Sequence, residues 1–416
     1  MRFQRTTNQA LTRDIYKVCD GELTKGIVGE YSHKSTWQPE DIIRTVIEAC
    51  LQKTSLEDVC ETKETPSADR VQDRINELEL EQIDHLLNGW MNEQVNRLRF
   101  HRNTRLTISI DFHQQPYYGD PSPEWIVGMK RKKGTSYCIC FVLVTITTNK
   151  IRCPIYVKLL TKKEHTDKIG LFTAIWSKLP INFCIKRVFL DRWFSYDPII
   201  EFLVDRRLEY VMATRRGSTV KKSLTTIQEC LKQLAGFSGI NFEDKRELGK
   251  WVRKRGLDTF TVKHITLKRG GTPTTLVAVF VRVKTHNRDP TKRWTYMLYL
   301  YITNCRVSPR YVVKLYSRRW IIETDIRCID TFKAVTNSTS PQLRFLFFGL
   351  AVLFDVLWVF YSTLLNRLLD HPDATFNNYF FISIKQSDTL QFTARRFLRY
   401  VRDEIFPLLS FRGGDA

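Results

Sequence analysis

The first hundred residues have apolar positions at helical spacing. This spacing predicts helices over 41–52, 56–61 and 68–80, the last two beginning at the cap residues Ser55 and Ser67. The order helix, short helix, turn, helix is typical of a helix-turn-helix. A helical cap or a dimerisation module gives the same pattern, so the role of this region stays open between these alternatives.

From residue 105 onward the apolar pattern changes to that of strands. Alternating or continuously apolar runs predict five strands, over 106–112, 136–147, 151–160, 186–190 and 209–214. Helical spacing predicts helices over 164–179 and 198–208. Three consecutive strands followed by alternating helices and strands indicate an α/β class, with a mixed five-stranded sheet and helices on its faces.

The second half of the chain divides into a basic segment and two helical ones. Strand-like runs at 259–267, 275–283 and 294–303 predict a β-rich insertion. Helical spacing resumes over 309–332. The predicted organisation is an N-terminal helical domain at 1–100, a core in two parts at 101–215 and 308–368, an insertion at 216–307 and a tail at 369–416.

The run 345–365, FLFFGLAVLFDVLWVFYSTLL, is long and apolar enough to cross a membrane. Asp355 lies at its centre, where a charge costs roughly 2.5–3.5 kcal/mol on the insertion scale. We therefore predict a buried helix that packs on the sheet and no membrane contact. A membrane-attached protein is the alternative, and it rests on this run alone.

Composition and charge narrow the class of partner. The chain has 416 residues, of which 43% are hydrophobic, and this excludes a wholly disordered or collagen-like protein. The net charge is +21, but residues 1–100 hold 13 basic and 18 acidic residues. The remainder of the chain therefore carries a net +26. A basic excess concentrated on the predicted core and insertion indicates contact with nucleic acid.

The cysteines and the first residues predict a reducing, intracellular location. The ten cysteines are scattered without a CxxC pair, and Cys138 and Cys140 have the wrong spacing for a zinc site. The opening sequence MRFQRTTNQALTRD contains no apolar segment typical of a signal peptide.

Three acidic residues have positions that suit metal-dependent chemistry. Asp111 ends the first predicted strand and Asp191 ends the fourth, so both are expected at one edge of the sheet. Two ions held by such carboxylates can clamp a phosphoryl displacement. Tyr316, Arg319 and Glu323 follow at i, i+3 and i+7, which places them on one face of a helix.

These segments together resemble the insertion-sequence DDE transposases of the retroviral-integrase superfamily. The motif regions are IDFHQQPYYG at 110–119, VFLDRWF at 188–194 and YSRRWIIET at 316–324. The resemblance is to the branch with a β-strand insertion before the glutamate and the signature Y-x2-R-x3-E-x6-K. It covers about residues 105–365.

The resemblance implies an RNase H-like fold, with Asp111, Asp191 and Glu323 as a catalytic triad that binds two Mg²⁺ or Mn²⁺ ions. It assigns Tyr316 and Arg319 to the DNA phosphate beside the cleaved bond. The signature departs at its last position, where Asp330 replaces lysine. Either the lysine's role is lost, or Arg327 or Lys333 takes it over.

Further DNA contacts are predicted from the basic segments. His113 shares a strand face with Asp111, but an activated water does not need it as a base. Trp251 in the insertion can stack on a flipped base, although a tryptophan in a small β core is the simpler interpretation. The remaining predicted contacts are basic residues, of which the first four are expected in a loop before the second strand: Lys130, Arg131, Lys132, Lys133, Arg215 and Arg216.

The resulting hypothesis is a transposase that cuts double-stranded DNA at transposon ends and joins them to target DNA. We expect a homodimer on DNA, because two ends must be joined in concert, and no organic cofactor. The resemblance implies a prokaryotic cytoplasm, at the nucleoid. The alternatives are a domesticated, catalytically silent DNA-binding protein and a structure-selective nuclease of the same fold.

Overall fold

A computed structural model describes most of the chain. The described residues are 37–61, 65–98, 105–147, 152–179, 184–214, 244–256, 259–266, 273–284 and 294–369, together with 239, 397, 399, 401 and 402.

The described N-terminal residues form four helices. They are α1 (Pro39–Gln52), α2 (Leu56–Val59), α3 (Ala68–Asn76) and α4 (Leu80–Arg97). Both predicted caps are confirmed, because the Ser55 hydroxyl accepts the Asp58 N–H and the Ser67 hydroxyl accepts the Arg70 N–H. The apolar faces of these helices share one hydrophobic core with the rest of the protein. Their role in reading DNA stays a prediction.

Nine strands form one mixed sheet. The strands are β1 (Leu106–Tyr117), β2 (Ile126–Lys132), β3 (Thr135–Thr147), β4 (Arg152–Leu159), β5 (Ile185–Leu190), β6 (Glu209–Ala213), β7 (Thr259–Thr266), β8 (Pro273–Lys284) and β9 (Trp294–Thr303). Their order is β2-β3-β1-β5-β6-β9-β8-β7, and β4 pairs with the second half of β3, beyond the part that pairs with β2. The five predicted core strands are all present in the order β4-β3-β1-β5-β6, which is consistent with an RNase H-like transposase fold.

The directions of the central strands determine which strand ends lie together at one edge of the sheet. β1 runs antiparallel to β3 and parallel to β5, and β5 runs parallel to β6. The carboxyl ends of β1's parallel segment and of β5 therefore lie at the same edge of the sheet. That edge is where acidic residues were predicted.

The predicted loop at Lys130–Lys133 is wrong. Lys130, Arg131 and Lys132 lie in strand β2, and Lys133 begins a two-residue turn into β3. Lys133 and Gly134 both have positive φ, as this kind of hairpin turn requires. The charged residues hide the strand pattern, and charge of this kind is typical of an edge strand, which β2 is.

The insertion extends the core sheet instead of standing apart from it. Its strands pair as an antiparallel β7-β8-β9 unit, and β9 pairs with core strand β6. In the described part of the insertion, helix α8 (Lys245–Lys254) accompanies these strands. The predicted five-stranded sheet is therefore the centre of a larger one.

Six further helices cover the sheet and carry the glutamate. They are α5 (Lys162–Thr166), α6 (Lys168–Lys178), α7 (Asp197–Asp205), α9 (Pro309–Ser317), α10 (Trp320–Phe332) and α11 (Pro341–Leu369). The prediction of one helix over 309–332 is wrong. The helix breaks at Arg318 and Arg319, whose N–H groups donate to Leu315 and Tyr316 in tighter, three-residue turns.

Helix α11 is the core helix predicted from its sequence. It is the one described helix long and apolar enough to cross a membrane, and 94% of that apolar window is buried inside the protein. Asp355 at its centre is 0% exposed, and its Oδ1 lies 3.5 Å from Nη2 of Arg152 on β4. The ion pair explains how the core tolerates this carboxylate.

The described cysteines are free thiols, and most of them are buried. This agrees with the prediction of reduced cysteines drawn from their scattered positions.

Candidate active site

Two acids follow the last parallel pair of β1 and β5. That pair is Ile110 with Leu190, and the next residues are Asp111 and Asp191. The prediction that Asp111 ends its strand is wrong, since β1 continues antiparallel to β3 as far as Tyr117. Asp111 nevertheless lies at the edge where β5 stops, so both acids lie at one edge of the sheet as predicted.

The break between α9 and α10 brings the signature residues to this edge. Tyr316 is buried in the last turn of α9, and its hydroxyl donates to the Leu190 carbonyl at 3.4 Å. Glu323 lies in the first turn of α10, where the helix dipole favours a carboxylate. The predicted grouping of Tyr316, Arg319 and Glu323 is therefore present despite the break.

Arg319 joins two of the three predicted catalytic acids. Its Nη1 donates to Oδ2 of Asp111, and its Nη2 donates to Oε1 of Glu323 at 3.0 Å. The guanidinium also lies 5.4 Å from the centre of the Tyr316 ring. Arg319 is 8% exposed, whereas the Glu323 side chain is 47% exposed. The carboxylate of Glu323 is thus open to an incoming molecule.

The three negative charges act on one another. The pKa of Asp111 is raised to about 6. Burial raises it most, the Arg319 guanidinium opposes this, and the charges of Asp191 and Glu323 raise it further. Burial lowers the pKa of Arg319, but Asp111, Tyr316, Asp191 and Glu323 together hold it above its ordinary value. The edge is therefore a place where negative charges accumulate around one cation.

The chemistry of these donors suits Mg²⁺ or Mn²⁺, which prefer carboxylate oxygens. Within the described residues, however, no three acidic, histidine or cysteine side chains lie close enough to hold an ion. Arg319 provides the positive charge between Asp111 and Glu323. The assignment of the triad as metal ligands therefore stays a prediction.

Asp330, at the lysine position of the signature, takes part in a small charged cluster. Its Oδ1 lies 3.6 Å from Nε2 of His113 and 3.5 Å from Nζ of Lys333. His113 is half-buried, and its ring stacks on that of Phe348 with the ring centres 4.9 Å apart. Burial lowers the pKa of His113 to about 4, although Asp330 raises it. His113 thus has the surroundings of a core residue.

The two residues proposed to replace the lysine differ in position. Arg327 is exposed on α10, and Lys333 is the residue that ends this helix, not a residue on it as predicted. Lys333 lies beside Asp330 and His113, and His113 is two residues along β1 from Asp111. Of the two residues, Lys333 is therefore the one connected to the site, through Asp330 and His113.

The other predicted DNA contacts lie elsewhere. Lys130, Arg131, Lys132 and Lys133 are all exposed. Trp251 is half-buried on α8, with the Arg255 guanidinium 4.6 Å from its ring. Arg215 and Arg216 lie outside the described residues. The contacts of Arg319 with Asp111 and of Asp330 with His113 were not predicted, because the two residues of each pair are far apart in sequence.

Comparison with known proteins bears on the family of this chain. A search of curated protein sequences finds none that matches the chain. The family described as the transposase DDE domain matches residues 102–352, which is more than half of the chain and spans Asp111, Asp191 and Glu323. The chain therefore belongs to the DDE transposase family of the insertion-sequence type.

Proposed function

We propose that the protein cuts DNA at the ends of a transposon and joins the freed 3′ ends to target DNA. The observation that supports this most is that Arg319 contacts Asp111 and Glu323 at the edge of the sheet where Asp191 also lies. Both reactions are phosphoryl transfers, in which positioning and charge neutralisation contribute most. A water attacks first, and the freed 3′-hydroxyl then attacks a phosphodiester of the target.

In this proposal Asp111, Asp191 and Glu323 hold Mg²⁺ or Mn²⁺. When bound, the ions neutralise charge on the phosphate and favour ionisation of the attacking hydroxyl. Arg319 and Tyr316 bind the DNA phosphate beside the cleaved bond. Arg319 exchanges its carboxylate partners for this phosphate, which leaves Asp111 and Glu323 free. Guanidinium groups suit either partner, since both accept paired hydrogen bonds.

Two copies of the chain act together on the two transposon ends, as a homodimer on double-stranded DNA in a prokaryotic cytoplasm. The presence of all three acids and Arg319 favours an enzyme over a domesticated, catalytically silent DNA-binding protein. A structure-selective nuclease of the same fold would have the same residues, and it would differ by lacking specific binding to the element ends. No organic cofactor is needed for either reaction.

The first prediction tests the triad. Asp191→Asn and Glu323→Gln remove a negative charge with little change of shape, so each should lower Mg²⁺-dependent cleavage and strand transfer by at least about a hundredfold. The substrate is a plasmid that carries the DNA flanking the gene, and products are resolved on gels. DNA binding and thermal melting should stay near wild type.

Asp120→Asn is the matched control, because Asp120 is an exposed carboxylate just beyond β1 that caps a turn through Ser122. It should cleave and join at the wild-type rate. Wild-type activity in Asp191→Asn would show that the triad assignment is wrong.

A further inference from the structure

A row of positive side chains leads away from the site along one face of β1. Successive side chains of a strand alternate, so Asp111, His113 and Tyr117 share a face. Their partners on β3 are Leu143, Phe141 and Tyr137. The row begins at Lys333, which is joined through Asp330 to His113, two residues beyond Asp111.

The next two members are Arg344 and Lys53. Arg344 on α11 lies with its guanidinium 5.9 Å from the Tyr117 ring. The connection from α10 to α11 crosses the end of α1, where the Val335 N–H donates to the Thr54 carbonyl at 3.0 Å. This contact places the exposed Lys53 beside the connection.

The electrostatics agree with this proximity. Burial lowers the pKa of Lys333, Asp330 raises it, and the positive charges of Arg344 and Lys53 lower it further. Lys333 therefore lies close enough to each of the other two cations to be repelled by it. Such mutual repulsion favours binding of a polyanion, which relieves it.

The far end of the row is the hairpin between β2 and β3. The Thr135 hydroxyl donates to the Tyr117 carbonyl at 2.7 Å, and the Tyr118 hydroxyl donates to the Lys133 carbonyl at 2.9 Å. These bonds fasten the hairpin to the end of β1. Lys132 is exposed there, and its charge reaches back to His113.

We infer that Lys333, Arg344, Lys53 and Lys132, here called the β1 track, bind the phosphates of duplex DNA as it leaves the active site. The inference rests on the proposed function. From Asp111 to Tyr117 is six strand steps of about 3.4 Å, or about 20 Å. At about 3.4 Å per base pair, the track spans about six base pairs.

Charge complementarity selects this partner. The row contains four cations and one acid, Asp330, and it begins where the phosphate is cleaved. Duplex DNA is the one polyanion that must already lie at that point. An acidic protein segment is the alternative occupant, and it would leave DNA binding unchanged when the track is neutralised.

The test uses the full-length double variant Lys53→Gln/Lys132→Gln, since both side chains are exposed and their loss should not affect folding. Lys178→Gln is the matched control. Lys178 is exposed on α6, whose Phe172 packs on Phe194, and Phe194 stacks on Phe112 from the opposite face of β1. Thermal melting of all three proteins should agree within a few degrees.

Binding is measured over a range of salt concentrations with a labelled duplex of the element end and its flank. The double variant should bind several-fold more weakly at about 0.1 M salt, and its log–log salt slope should be smaller by about 2. Lys178→Gln should match wild type. An unchanged log–log salt slope in the double variant would overturn the inference that the β1 track binds DNA.

Phosphate ethylation interference then identifies which duplex is bound. Interference within about six base pairs on the element side of the cleaved bond, lost in the double variant, assigns the track to the transposon end. The same loss on a target duplex assigns it to target DNA, and loss on neither overturns the inference. Failure of the wild-type protein to cleave or join the element ends with Mg²⁺ present would instead reject the proposed function without touching the binding result.

Discussion

At the scale of single residues, the core holds one charged pair that the sequence hinted at only in part. The position of Asp355 within an apolar run predicted a buried carboxylate. Its partner, Arg152, lies on a strand some 200 residues earlier, so no local pattern could name it. Burial raises the pKa of Asp355 to about 6, and the Arg152 guanidinium lowers it.

This raised pKa predicts a pH-dependent stability. The folded-state pKa lies above the ordinary value of 3.8, so the contribution of Asp355 is complete below that value and is lost as pH rises through about 6. Between pH 4 and pH 7, the free energy of unfolding of the wild type should fall by about 2 kcal/mol more than that of Asp355→Asn. Urea denaturation at several pH values measures it.

Asp205→Asn serves as the control, because Asp205 is exposed at the end of α7. Its pH dependence should follow the wild type. Equal pH profiles for Asp355→Asn and wild type would show that Asp355 titrates in its ordinary range.

Some features of the candidate site can likewise be predicted from the sequence, and others cannot. Asp111, Asp191 and Glu323 were found because each lies in a short motif whose order is informative. The role of Arg319 as their shared counter-ion was not found, since its bond to Asp111 spans 208 residues of chain. The motifs identified the residues of the site, whereas the contacts between them depend on the three-dimensional fold.

At the scale of secondary structure, an asparagine completes the edge of a strand. The side chain of Asn88 on α4 donates to the Val157 carbonyl at 2.8 Å and accepts the Val157 N–H at 2.9 Å. The side chain thus forms the two hydrogen bonds with β4 that the backbone of a neighbouring strand would otherwise form. The pattern of apolar residues identified β4 but not this contact, because a polar residue on a helix usually faces solvent.

Asn88→Leu should therefore lower the free energy of unfolding by about 2–4 kcal/mol, because it leaves two buried backbone groups of Val157 without partners. Chemical denaturation measures the change. His85→Leu, an exposed change on the same helix, should stay within about 0.5 kcal/mol. A loss below about 1 kcal/mol for Asn88→Leu would mean that water replaces the side chain.

Elements with strong periodicity were predicted well, and those shaped by charge were not. The five core strands and α11 were identified from apolar runs. β2 was missed because its outer half is KRK, and the break before α10 was missed because helical spacing continues across it. In both places charged side chains, not apolar ones, set the local geometry.

At the scale of the whole molecule, charge is distributed to suit an enzyme that acts on DNA. The first hundred residues are net acidic, whereas the rest of the chain carries the positive excess. The described N-terminal helices share the core of the catalytic part, so the acidic and basic regions are joined in one body.

Binding of a duplex by the whole protein should therefore weaken steeply with salt. If six or more phosphates are contacted, the log–log slope is about −5 or steeper. Fluorescence anisotropy between about 50 and 300 mM salt measures it, with a neutral crowding solute as the control for viscosity. A flat response would contradict phosphate contact over the basic core.

Because β9 pairs with β6, the sheet fixes the distance between the insertion strands and the strand that leads into the site. From β5, which leads into Asp191, four strand steps reach β7 by way of β6, β9 and β8. With neighbouring strands about 4.8 Å apart, β7 lies about 19 Å from β5. Since backbone hydrogen bonds join every step, the number of strands would fix the distance between the cleaved phosphate and any DNA bound at β7.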